Sequence, residues 1–149
     1  MELITKIFDL DLASLVPELG SFLTDVRTLL ILAMLVGPVL LIVFGGIYLL
    51  RPPAEANHRF GFRTYFGMGS VEAWQYAQRI AGLAFGGLGA LLLIVMIVVV
   101  ICMEKQDVFR MANTALVCLL VQTGLALAAR LTATILVTVY FDANGDRRR

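Results

Sequence analysis

Residues 28–50 read TLLILAMLVGPVLLIVFGGIYLL, twenty-three positions without a charged side chain. An α-helix rises about 1.5 Å per residue, so about 20 apolar residues cross the roughly 30 Å hydrocarbon core of a bilayer. Gly37-Pro38 sits inside the run. Proline donates no N–H and crowds the carbonyl one turn back, which predicts a kink whose freed carbonyl a neighbouring helix must satisfy.

Two more such runs follow. A polar loop opens with Arg51-Pro52-Pro53 and is punctuated by Gly61, Gly67 and Gly69. Ser70 then reads as a helix N-cap, with Glu72 well placed in the first turn. That helix runs to about Met103 and enters the bilayer near residue 77, with Trp74 and Tyr76 suited to the membrane–water interface. A polar turn from Glu104 to Arg110 precedes a third span over 113–140. The tail 141–149 is polar and reads as frayed. Upstream, Ile4, Ile7, Phe8, Leu12 and Leu15 recur at three- and four-residue steps until Pro17 and Gly20 interrupt them. This predicts an amphipathic helix, either lying on the membrane surface or docking a partner. Its mixed, mostly acidic charge does not fit a signal peptide. The expected fold is all-α: an integral membrane bundle of three transmembrane helices with an N-terminal amphipathic helix. The organisation is an amphipathic segment at 1–26, a membrane domain at 27–140 with spans 28–50, 77–103 and 113–140 and a motif loop at 51–76, and the tail.

Composition agrees. Of 149 residues, 60% are hydrophobic and 15% charged, with a mean hydropathy of +0.88; soluble domains lie nearer half apolar and a quarter charged. Net charge is +1, which gives no case for a nucleic-acid partner. Two cysteines and one histidine cannot furnish a zinc site, so neither metal nor cofactor is expected. Cys102 and Cys118 lie in apolar runs, where cysteine behaves as a small hydrophobe. His58 has no adjacent nucleophile, Phe66-Gly67-Met68-Gly69 lacks the Lys and Ser/Thr of a phosphate loop, and the spans hold no carboxylate for ion coupling. No catalytic residue is expected; the chain reads as non-enzymatic.

Orientation follows from counting basic residues near the spans. Arg51, Arg59, Arg63, Arg79, Arg147, Arg148 and Arg149 fall on one side; Lys6, Arg27, Lys105 and Arg110 fall on the other. The heavier side is predicted to be cytoplasmic, which puts the N-terminus outside and the loop and C-terminus inside a bacterial plasma (inner) membrane.

Two features inside the spans invite a reading. On a wheel of about 100° per residue, Glu72, Tyr76, Arg79, Leu83, Gly86, Gly87 and Ala90 share one side, Gly82 lies at its edge, and Trp74 falls opposite. Gly82–Gly86 is a GxxxG pair. Small residues let another helix approach closely, so Gly82, Gly86, Gly87 and Ala90 are expected to form a packing face, either within the subunit or in a homo-oligomer. Arg130 lies ten positions before Tyr140, roughly 15 Å along the helix and near mid-bilayer. A charge at that depth is costly and usually faces a bundle interior. Arg130 either snorkels to the headgroups or meets an internal partner; the internal partner is expected, as backbone carbonyls near Pro38 or a carboxylate from the 51–72 loop.

The loop carries the most specific pattern: Asn57-His58-Arg59-Phe60-Gly61-Phe62-Arg63-Thr64, then Glu72-Ala73-Trp74, then Ala77-Gln78-Arg79 and Gly82. It resembles the SdpI/YfhL family of bacterial membrane proteins, whose pattern reads approximately Asn-x-x-x-Gly-x-Arg-Thr, a short gap, Glu-x-Trp, then Ala-Asn-Arg and a Gly. Gln78 stands where the family usually has Asn and keeps the amide. On physical grounds Gly61 permits positive φ and Arg63 offers a planar fork to a carboxylate, phosphate or headgroup. Arg63 folding back onto Glu72 would make the motif a structural staple; the other reading is a binding site. Asn57, Gly61, Arg63, Thr64, Glu72, Trp74, Gln78 and Arg79 are the candidate residues for either. The resemblance implies protection against a secreted peptide toxin that attacks membranes, and sensing of that toxin. The alternative is a small accessory subunit of a larger membrane complex. The bilayer is the one partner common to both.

Overall fold

The computed structural model describes residues 12–54, 61–103 and 105–148, with side chains from Ser21 onward except Leu23. Three long helices follow one another: α1 (Leu12–Leu50), α2 (Val71–Met103) and α3 (Val108–Tyr140), with a short 3-10 turn at Phe66–Met68 before α2. Each contains a stretch long and apolar enough to cross a membrane, in α1 from Thr24 to Leu50. Each helix contacts the other two. Among the described residues there is no strand, only a bridge between Phe141 and Arg147. Residues 1–11, the larger part of the expected amphipathic helix, lie outside the described residues, as does Asn57.

The helices overrun the apolar spans. α1 continues through Pro17 and Gly20, where the sequence predicts a break. A proline inside a helix costs about 3 kcal/mol and a glycine about 1 kcal/mol, and the helix continues through both into its packed later turns. It also passes unbroken through Pro38, whose side chain is fully buried. α2 begins after Ser70, whose Oγ accepts the Ala73 N–H at 3.1 Å. α3 begins after Asp107, whose Oδ1 accepts from the N–H groups of Phe109 (2.9 Å) and Arg110 (3.1 Å), one turn before the run at 113. At this end Arg27 of α1 donates to the Gln106 carbonyl.

The packing face of α2 is nearly the reverse of the one expected. Trp74, Ala77, Gln78, Ala81, Gly82, Gly89 and Leu92 are buried, whereas Glu72, Arg79, Leu83, Gly87 and Ala90 are exposed. Gly82 and Gly86 do meet a helix, but it is α1 of the same chain. A Cβ added at Gly45 would lie 2.4 Å from the Gly86 nitrogen, and Gly89 faces Pro38 and Ile42. Around Gly87 there is open space. The side marked by Glu72 collects small residues by sequence, but the buried side is the one on which α1 packs through Gly82, Gly86 and Gly89, and the loop covers its continuation at Trp74.

Two apolar clusters bracket this seam. At the loop end, Phe62, Ala73, Ala77, Ala81, Ala133, Val137 and Phe141 pack together, flanked by Tyr48, Tyr76 and Phe85. At the other end Met34, Met96, Met103, Met111 and Ala115 do so. Outside these clusters the helices present large apolar side chains such as Leu91, Ile94, Leu120 and Leu131 to the surroundings, as a lipid-facing surface should and a water-facing one does not. Cys102 and Cys118 are both free.

The seam makes a testable contrast. Gly45→Ala forces the α1 and α2 backbones apart and should lower stability by about 1–3 kcal/mol. Gly87→Ala meets no atom and should raise it by up to about 1 kcal/mol. Thermal unfolding in a mild detergent reads both.

Candidate functional site

The motif residues assemble into a cap over the first turns of α2. Gly61 opens it in a left-handed conformation (φ 122°), and a Cβ there would lie 2.7 Å from the Trp74 ring. Glycine is needed both for its φ and for the contact. Trp74 is completely buried under this turn and donates its indole N–H to the Pro53 carbonyl at 2.9 Å. It is therefore an anchor inside the fold and not the interfacial residue expected; its indole finds a partner, as a buried tryptophan must.

One turn further along, Gln78 is fully buried and grips the backbone of Phe62 with both ends of its amide. Oε1 accepts the Phe62 N–H at 2.9 Å and Nε2 donates to the Phe62 carbonyl at 3.0 Å. A loop residue facing a helix has no ladder partner, and leaving either group unpaired costs about 1–3 kcal/mol. An amide supplies one donor and one acceptor in the required geometry. Thr64, also buried, closes the loop: Oγ1 accepts the Gly67 N–H at 3.0 Å and its carbonyl accepts the Met68 N–H at 3.2 Å.

The C-terminal tail completes the cap and is docked, not frayed. Asp142 Oδ1 accepts the N–H groups of Asn144 (3.0 Å) and Asp146 (2.9 Å), and the Arg148 N–H returns to the Tyr140 carbonyl at 2.9 Å. The turn it forms accepts the Ser70 hydroxyl at the Gly145 carbonyl, 2.7 Å away. Arg147 Nε then reaches Glu72 Oε1 at 2.7 Å. The expected clamp of Arg63 on Glu72 thus gives way to one from Arg147, because the turn brings the tail to the start of α2. Both partners are largely exposed, so the pair positions the tail more than it stabilises it. Arg148 lies over the Phe66 ring, 5.8 Å from its centroid. The sequence signal for this docking is Asn144-Gly145 between Asp142 and Asp146, a turn pattern.

Arg63 and Arg79 remain at the surface with Tyr65. Arg79 borders a cavity of about 220 Å³ with Tyr48, Pro52 and Gln75. Gly61, Thr64, Trp74 and Gln78 are thus brought together in the interior, while Arg63, Glu72 and Arg79 are presented outside. Arg130 is exposed on α3 and is not joined to the cap. The buried positions of α3 that follow it are Ala133 and Val137, packed in the loop-end cluster. Among the described residues no group of three His, Cys, Asp or Glu could hold a metal ion.

The amide grip can be tested by unfolding. Gln78→Leu orphans both Phe62 groups and should lower stability by about 2–4 kcal/mol, while Gln78→Glu keeps the acceptor, loses the donor and should fall between. Equal stability of all three proteins would contradict the role given to the amide.

The SdpI/YfhL protein family matches residues 54–141, more than half of the chain. No curated protein and no solved structure matches it. The match takes in the motif residues of the cap, α2, α3 and the first residue of the tail, and the chain belongs to the SdpI/YfhL family of membrane proteins.

Proposed function

We propose that this chain is a non-enzymatic membrane protein that protects its cell from a secreted, membrane-attacking peptide and senses that peptide. The observation that supports this reading is the division of labour within the family motif. Its Gly, Thr, Trp and amide positions are spent on holding a loop rigid, while Arg63 is displayed at the surface of that loop. A rigid loop presenting an arginine fork is suited to a carboxylate or phosphate. In the test, cells expressing the chain are challenged with such a peptide toxin and survivors counted. Expression should protect, and Arg63→Ala should lose about tenfold of that protection. Equal killing with and without the chain would remove the protective role.

The second reading, an accessory subunit of a larger membrane complex, is supported by Arg130, a charge exposed at membrane depth. It predicts stoichiometric copurification with a larger assembly in mild detergent, where a protective protein would run alone or as a homo-oligomer.

The cap end carries Arg51, Arg63, Arg79, Arg147 and Arg148, and the opposite end Arg27, Lys105 and Arg110. The positive-inside rule then supports a cytoplasmic cap in a bacterial plasma membrane, with the N-terminal end outside. In a background with both native cysteines replaced, Asn144→Cys should resist a membrane-impermeant maleimide on intact cells and react after permeabilisation.

A further inference from the structure

Between α1 and α3 an open groove of about 390 Å³ runs along the membrane-spanning part of the bundle, with Ala33, Gly37 and Phe44 on one wall and Thr123 and Ala126 on the other. Gln122 forms its floor. The side chain is 5% exposed, lies across Gly37, and its buried Oε1 has no hydrogen-bond partner. A buried acceptor without a donor is costly anywhere and more so where no water can reach it. The Thr123 hydroxyl donates to the Leu119 carbonyl at 2.7 Å, which spends its proton and leaves an oxygen able only to accept. The Gln122 Oε1 and the Thr123 oxygen therefore ask for donors.

Two turns along the same face of α3 stands Arg130, seven positions after Thr123 and exposed. Arg130 stands one turn beyond Ala126, which lines the groove, and Phe44 on the opposite wall packs on Tyr48 with ring centroids 6.4 Å apart. No carboxylate pairs with Arg130 among the described residues. A cation at that depth calls for a carboxylate. A second copy of this chain does not bring one, because residues 28–50, 77–103 and 113–140 contain neither Asp nor Glu, and it would set a second Arg130 nearby.

We propose that this groove receives a single transmembrane helix of another polypeptide, one that carries a carboxylate facing Arg130 and a side-chain donor about two turns away facing Gln122. A helix is the occupant because it is the membrane structure that holds polar groups at mid-bilayer while satisfying its own backbone. The assignment rests on neither reading of the chain's function.

The test uses the full chain in phosphatidylcholine vesicles and a synthetic lysine-flanked polyleucine helix bearing one Glu and, seven residues away, one Asn. Energy transfer between labelled protein and labelled peptide measures association. The Glu/Asn peptide should bind more tightly than all-leucine and Lys-for-Glu controls, and Arg130→Gln and Gln122→Leu should each weaken it by roughly three- to thirtyfold. Ala126→Phe, which fills the groove between the two polar groups, should weaken it as well, and thermal unfolding of each variant shows that it is folded. Three results overturn the proposal: binding no tighter than all-leucine, binding unchanged in folded Arg130→Gln, or energy transfer between two labelled copies of the chain that Gln122→Leu abolishes, which would give the groove to a homodimer.

Discussion

The bundle turns on a contact between two backbones. Where α1 crosses α2, Gly45 comes so near Gly86 that a methyl group would not fit between them. Lipid tails are as apolar as leucine, so no hydrophobic force pushes helices together in a bilayer; close van der Waals approach does that work, and only small residues allow it. Gly82, Gly86 and Gly89 take α1 along one line of α2, and this fixes which side of α2 is interior.

The cap follows from that choice. The interior line of α2 continues below the glycines through Gln78 and Trp74, past the end of α1, where no helix remains to cover them. The loop after Leu50 does so instead. At Phe62 and Pro53 secondary structure leaves the backbone unpaired, and buried side chains supply what is missing: an amide for Phe62 and an indole for Pro53. The tail closes the remaining side through Ser70 and Glu72. A rigid loop in a family of membrane proteins is thus a by-product of helix packing as much as a site in its own right, and its exposed arginines are placed by groups that never reach the surface.

The lipid-facing surface is less complete. Gln122 and Arg130 share a face of α3 whose polar needs the chain does not meet by itself. Among the described residues the other buried polar side chains, Thr64 and Gln78, are hydrogen-bonded, and this imbalance singles the face out.

Much was determined by the sequence alone. Three uncharged or nearly uncharged runs admit only membrane helices, because an apolar stretch of that length has no other stable environment. Ser70 as a cap and the motif that carries the family were legible because both depend on residue type at short spacing. The tertiary structure alone decided the rest. Which face of α2 is buried, that Trp74 lies inside, that Arg147 and not Arg63 meets Glu72, and that Arg130 faces outward all depend on how elements far apart in the chain come together. Helical periodicity states which residues share a side; it does not state which side another helix, a loop or lipid will cover. In a membrane span both sides are apolar, so the contrast that reveals the interior of a soluble helix is missing, and the glycine seam and the loop above it had to supply the answer.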